Sequence, residues 1–146
     1  MRRIAVLVLQ ASALITFLVA DATLATPRNA DSARRAVVEA LSMGRPVLLK
    51  PLLPTDAKVN LALRTIAPAR GLHDGGQFLV LLTRFFERCS ALGFKLTPGE
   101  SGVDGAVRLG GILATGCPGG RTELGLQIVL ERSGDGWRLS EVWETE

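Results

Sequence analysis

The final third of the chain alternates apolar and polar residues, and this pattern constrains the fold more than any other feature of the sequence. The segment RTELGLQIVLER has an apolar residue at every second position, at Leu124, Leu126, Ile128 and Leu130. A period of two is typical of a strand that buries one face. Strand-like segments flank it on both sides, separated by the turn sequences CPGG and SGDG, and such short turns join antiparallel neighbours. The sequence therefore predicts a three-stranded meander whose apolar face needs a cover.

The segment HDGGQFLVLLTRFFERC predicts the helix that provides this cover. Its apolar residues recur at spacings of three and four: Phe78, Leu81, Leu82, Phe85 and Cys89. This is the spacing of one broad helical face. Asp74, with Gln77 three residues later, is typical of a capping box at the helix start, and Gly93 marks its end. We expect this helix to lie across the concave side of the sheet.

The remaining segments complete the predicted fold. ARRAVVEALSMG predicts a first helix with its cap at Asp31 or Ser32, and the proline-rich RPVLLKPLLPTD predicts one or two helical turns. KVNLALRTI and FKLT predict strands, while the adjacent Gly110 and Gly111 predict a bulge or bend that curves the sheet. We therefore expect one α+β domain over residues 26–146, with a curved, mostly antiparallel sheet of about five strands and helices packed on its concave face.

Residues 1–25 have the pattern of a secretory signal peptide. Two arginines precede an apolar run from Ile4 to Ala20, and small residues around Ala22 follow it, which is the order of charged, apolar and cleavage regions in such peptides. The alternative is an uncleaved anchor, because about 17 helical residues just reach the lower limit for crossing a membrane. Cleavage predicts a mature chain that begins near Thr23 or Thr26, is not membrane-bound, and is periplasmic or secreted.

Composition argues against nucleic-acid binding and metal chemistry. The net charge is +3 and the chain has no tyrosine, whereas nucleic-acid binding relies on concentrated basic patches and stacking aromatic residues. Cys89 and Cys117 would enter an oxidising compartment, where they either close a disulfide or remain a buried hydrophobe and an unrelated turn residue. A zinc site would need two further ligands, and His73 is the only histidine. We expect no metal and no cofactor.

Several short motifs together resemble a family of small exported bacterial domains of uncharacterised function. They are VNLAL, DGGQFLVLLTRFF, GFKLT, RLGGIL and GDGWRLSEVWE. That family is similar to the cone-shaped superfamily named after nuclear transport factor 2, also called cystatin-like. The resemblance implies a bent sheet around a cavity that the long helix covers. Superfamily members include isomerases, dehydratases, ligand binders and dimerisation modules, so the fold alone does not assign a function.

We expect a ligand pocket between the long helix and the concave face of the sheet. Six residues would border it: Leu61, Phe78, Leu82, Phe85, Leu126 and Trp137. With no catalytic motif in the sequence, the expected function is a non-catalytic binding module for a small apolar ligand or a protein partner.

The alternative is an enzyme of the isomerase or hydratase type with an acidic residue in the cavity. Glu141 would point inward if the strand kept the phase set by Trp137 and Leu139, and His73 would assist as an acid or base. Against this, a small irregularity in the strand would place Val142 on the buried face and leave Glu141 in solvent. For His73, independently, the alternative is a solvated loop residue beside the helix cap.

The outer face of the sheet offers a third possibility, a homodimer without a small ligand. Gly125, Gln127, Val129 and Arg108 would lie on this face. Arg64 and Arg108 would either bind an anionic partner there or simply keep the surface soluble.

Overall fold

In the part of the chain that the structure describes, seven strands form one curved, open sheet with three helices on its concave side. The structure is a computed structural model that describes residues 26–99 and 101–146; the predicted signal peptide, residues 1–25, lies outside the described residues. The strands are β1 (Lys58–Leu63), β2 (Ala69–Asp74), β3 (Ser90–Leu96), β4 (Ser101–Val103), β5 (Ala106–Cys117), β6 (Gly120–Ser133) and β7 (Gly136–Thr145). Their order across the sheet is β2-β1-β7-β6-β5-β3, with β4 paired to β5.

The expected α+β fold is confirmed, and β5, β6 and β7 form the predicted antiparallel meander. The pairing of β1 with β7 is parallel, and the other pairings are antiparallel. The sheet has more strands than the expected five, because β2 and β4 were not predicted. Both lie at the margins of the sheet and lack the alternation of apolar residues that identifies a strand in sequence.

The helices are α1 (Ala30–Ser42), a 3₁₀ helix (Pro46–Leu52) and α2 (Gly75–Arg88). The cap of α1 is Asn29 rather than Asp31 or Ser32, since Asn29 Oδ1 accepts a hydrogen bond from Ser32 N at 2.7 Å. The predicted capping pair of α2 is present, with Asp74 N donating to Gln77 Oε1 at 3.1 Å. None of the helices in residues 26–99 and 101–146 has the length and hydropathy to span a membrane.

The core lies between the helices and the concave face of the sheet. In β1, Val59, Leu61 and Leu63 are buried while the residues between them are exposed. Phe78, Leu82 and Phe85 of α2 pack into the same apolar cluster. The side chains that the sequence placed on the two facing surfaces therefore meet as expected.

Gly110 and Gly111 predicted a bulge or a bend that curves the sheet; the sheet is curved, but there is no bulge here, because β5 pairs with β6 without a register shift along its whole length. Gly111 has a different role. A Cβ at this position would overlap the ring of Phe94 on the neighbouring strand β3. The glycine thus leaves room for a buried aromatic ring to lie directly on the strand.

Cys89 and Cys117 form a disulfide. Cys89 follows the last residue of α2, and Cys117 ends β5. The bond therefore fastens the C-terminal end of the covering helix to the sheet.

Candidate functional site

An open cleft lies between α2 and the segment that leads from the end of β1 into β2. The part of it nearest the start of α2 has a volume of about 600 Å³. Its lining includes Pro68, Ala69, His73, Gln77, Val80 and Leu81. We call this site the α2–β2 cleft.

The cleft continues along α2 toward the C-terminal end of the helix. The second part has a volume of about 550 Å³ and shares Pro68 and Leu81 with the first. It extends to Arg84, Glu87 and Arg88. Along α2, the lining runs from Gly76 in the first part to Arg88 in the second. An α-helix rises 1.5 Å per residue, so the cleft follows the helix for about 18 Å.

The α2 wall of the cleft is one helical stripe. Gln77, Leu81, Arg84 and Arg88 follow one another at spacings of four, three and four residues, so they lie on the same side of the helix. The stripe is apolar near Val80 and Leu81 and cationic toward the helix end. The α2 wall of the cleft therefore changes from apolar to cationic along the helix, while Arg70 lines the first part from the β2 side.

The register of β2 sets the opposite wall. His73 is paired with Val59, and Ala69 is paired with Leu63. Paired residues project from the same face of a sheet, so both side chains lie on the concave side with the core residues of β1. The Nε2 atom of His73 lies 3.1 Å from the carbonyl oxygen of Arg70. His73 is thus part of a strand at the sheet edge and lines the cleft, whereas the sequence placed it in a loop.

The start of α2 is held beside this edge by its cap residue. Asp74 ends β2 and also forms an ion pair with Lys58, the residue of β1 that is paired with it. Because Asp74 is both the last strand residue and the helix cap, the chain passes directly from one wall of the cleft to the other.

The six residues of the sequence-predicted pocket lie in the apolar interior. Leu61, Phe78, Leu82, Phe85 and Leu126 are each at most 2% exposed, and Trp137 packs against the same cluster while remaining partly buried. Trp137 is paired with Arg132 and Leu126 with Glu144, so these two lie toward opposite ends of the β6–β7 pair and the six do not surround one pocket; none of the six lines the open α2–β2 cleft. Their role in ligand binding stays a prediction.

Glu141 lies on the outer face of the sheet. The register of β6 and β7 shifts between Val129 and Leu130, and Val142 is buried at 3% exposure. Glu141 is paired with Val129 and with Asn60, an exposed residue of β1. This register shift is the strand irregularity that the sequence allowed, and it turns the side chain of Glu141 away from the interior.

The other residues expected on the outer face are found there. Arg108 is paired with Val129, and its guanidinium carbon lies 5.5 Å from the centre of the Trp143 ring, within cation–π range. Arg64 follows β1 and forms an ion pair of 3.6 Å with Glu146. Binding of an anionic partner or of a second copy of the chain at this face stays a prediction.

Glu144 is a well-defined polar feature that the sequence did not reveal. Its carboxylate accepts hydrogen bonds from Thr65 N at 2.9 Å and from Ile66 N at 2.8 Å. Burial by itself raises the pKa of Glu144, but hydrogen bonds from the backbone at Ile66, Thr65 and Arg64 outweigh it and hold the pKa below its ordinary value. The donors are backbone amides nearly eighty residues away in the chain, so no sequence motif signals them. Glu144 fixes the connection that leads into the cleft wall.

Within the part of the chain that the structure describes, no group of three or more histidine, cysteine, aspartate or glutamate side chains could hold a metal ion.

Comparisons with known proteins identify the fold. No protein-family model matches the sequence, and no curated protein sequence is significantly similar to it. Solved structures with a similar fold include a DUF4783 family protein from Bacteroides uniformis, with a TM-score of 0.64 at 15% identity, covering 77% of this chain and 94% of that one. A DUF4783 family protein from Bacteroides fragilis has a TM-score of 0.61 at 20% identity, covering 75% of this chain and 93% of that one.

A third structure is a hypothetical protein from Catenulispora acidiphila with a ketosteroid isomerase-like fold, solved in complex with trimethylamine. Its TM-score is 0.58 at 14% identity, covering 78% of this chain and 84% of that one. At these identities the likeness concerns the fold. The chain has the nuclear transport factor 2-like fold that the sequence motifs indicated, shared with the uncharacterised DUF4783 proteins.

Proposed function

We propose that the protein is a binding module that takes a small, mostly apolar molecule in the α2–β2 cleft. The observation that carries the proposal is the cleft itself, an open site of about 600 Å³ in which Val80, Leu81 and Pro68 offer apolar contacts. Small-molecule sites have volumes of about 300 to 1,000 Å³, mostly apolar linings and a few polar groups. His73 and Gln77 supply such polar groups at the rim.

The interior supports binding over catalysis. An acid or base that works on this scaffold needs a titratable group in a buried site. Among the described residues, the buried polar side chains are Thr115 and Ser140, and each hydroxyl is directed to a backbone carbonyl of β6. The carboxylate considered for an isomerase or hydratase, that of Glu141, is on the opposite face of the sheet.

Two further facts support a binding module that works outside the cytoplasm. The Catenulispora protein was solved with a small molecule, which illustrates that this fold accommodates small ligands. The Cys89–Cys117 disulfide is typical of proteins in oxidising compartments. We propose that the chain is exported to the periplasm or the medium, as residues 1–25 indicate.

The proposal can be tested with N-phenyl-1-naphthylamine, an uncharged fluorophore whose emission rises in an apolar site. We expect the wild-type protein to bind it and Val80→Glu to weaken binding by about tenfold or more, because the variant places a charge against the apolar part of the ligand. Val80 lines the cleft and is 48% exposed, so the substitution itself should be tolerated by the fold.

Leu72→Glu is the matched control. Leu72 belongs to β2 and is 72% exposed, but it is paired with Asn60 and so faces the outer side of the sheet. We expect this variant to bind the fluorophore as the wild type does. No binding by the wild type, or equal binding by all three proteins, would overturn the proposal.

A further inference from the structure

We infer that the ligand of the α2–β2 cleft is a single-chain amphipathic carboxylate, such as a free fatty acid. Its apolar chain would lie along Val80 and Leu81, and its carboxylate would lie beside Arg84 and Arg88. The inference rests on the proposed function and specifies the ligand class for the same site.

The shape of the cleft favours a chain-like ligand. Pro68 and Leu81 line both parts, so the two parts form one elongated site along α2. A site that follows a helix for about 18 Å suits an extended chain better than a compact ring system.

The change of polarity along the site favours an amphipathic ligand. Near the start of α2, the helix offers Val80 and Leu81, with Arg70 on the β2 side, whereas near its end the helix offers Arg84 and Arg88. An amphipathic molecule matches both parts at once, whereas a wholly apolar one would leave the arginine end without a partner.

The sign of the charge favours a carboxylate. Glu87 also lines the second part, but among the described residues neither arginine forms an ion pair with it or with any other carboxylate. Arg88 Nε donates a hydrogen bond to the carbonyl oxygen of Arg84 at 3.3 Å, which holds the Arg88 side chain against the helix. Two arginines against one glutamate leave a net positive end, and arginine binds carboxylates in a defined fork geometry.

The test compares three ligands with the same acyl chain and different head groups: decanoate, 1-decanol and decylammonium. Each is titrated against the bound N-phenyl-1-naphthylamine, with decanoate and decylammonium kept below their critical micelle concentrations and 1-decanol kept below its solubility limit. We expect decanoate to displace the fluorophore at a concentration about tenfold lower than 1-decanol, since charge-assisted hydrogen bonds favour the carboxylate. Decylammonium should be the weakest, and added salt should reduce the preference for decanoate.

Variants at the cationic end locate the head group. Arg84→Gln with Arg88→Gln should abolish the preference for decanoate over 1-decanol, with each displacement constant calculated from the variant's own affinity for the fluorophore. Replacing the same two residues by lysine should restore part of the preference. Arg35→Gln is the control, because Arg35 is an exposed arginine of α1 outside the cleft, and it should behave as the wild type.

The outcomes separate the two proposals. If the fluorophore does not bind, the proposed function fails. If it binds but decanoate and 1-decanol displace it equally, the ligand class is wrong while the cleft remains a binding site. If decanoate is preferred and the double glutamine variant keeps that preference, the head group lies elsewhere and the inference is overturned.

Discussion

At the scale of single residues, the clearest polar contact in the structure is made by Glu144. Its carboxylate binds the backbone amides of Thr65 and Ile66 and so fastens the connection between β1 and β2 to the last strand. The sequence could not show this, because a backbone amide has no side-chain signature and the two segments lie at opposite ends of the domain. By contrast, the alternation of apolar residues in β7 did show that Val142 could replace Glu141 on the buried face. Which of the two is buried depends only on whether the strand shifts by one residue at this point.

We expect Glu144→Gln to lower the free energy of unfolding by about 1 kcal/mol at pH 7, because the charged acceptor is replaced by a neutral one at a partly exposed site. The folded-state pKa of Glu144 is lowered, so the contribution of the carboxylate is present above the unfolded-state pKa and is lost as the pH falls through the folded-state pKa. Urea unfolding of both proteins at neutral and strongly acidic pH would measure this, and the difference should shrink in acid.

Glu146→Gln is the control for this prediction. The side chain of Glu146 is 94% exposed, and its ion pair is on the surface, so the loss should stay below about 0.5 kcal/mol. A loss at Glu144 that is no larger than this, or that is the same at both pH values, would contradict the role assigned to the Glu144 carboxylate.

At the scale of elements, the sequence predicted those segments whose apolar residues recur with a clear period. That is why α2, β1 and the β5–β7 meander could be predicted, and why α2 could be placed on the concave face. The strand β2 could not be predicted, because Ala69 is the only buried residue in it. It is a strand because it pairs with β1. The α2–β2 cleft was missed for the same reason, since one of its walls is this unpredicted strand.

Gly111→Ala should destabilise the protein by about 1 to 3 kcal/mol, the usual cost of inserting a methyl group into a filled core. A Cβ at Gly111 would overlap the ring of Phe94, and Phe94 is itself buried at 7% exposure. Gly116→Ala is the matched control: it lies in the same strand, and a Cβ there would come no closer than 3.9 Å to the Leu92 side chain, an ordinary contact. Thermal unfolding of the two variants measures the difference, and equal stability would show that Phe94 does not require the glycine.

At the scale of the whole molecule, α2 spans the concave side of the sheet from edge to edge. It starts directly after β2 at one edge and is followed by β3 at the other. Its 14 residues give a length of about 21 Å, and six neighbouring strands give a width of about 24 Å. The helix is therefore attached to the sheet at both of its ends, to the edge strand β2 through Asp74 and to β5, the neighbour of the edge strand β3, through the Cys89–Cys117 disulfide.

Loss of this second attachment should affect the stability of the entire domain. A disulfide that closes a loop of this size, with a sequence separation of 28, restricts the unfolded chain and contributes about 3 to 4 kcal/mol. For a domain of this length, the corresponding decrease in Tm is roughly 10 °C. We expect Cys89→Ser with Cys117→Ser to lower the Tm by this amount, and a reductant to lower the Tm of the wild type to the same value.

The double serine variant is its own control, since a reductant should leave its Tm unchanged. A wild-type Tm that does not respond to a reductant strong enough to break the bond would mean that the disulfide does not stabilise the attachment of α2 to the sheet.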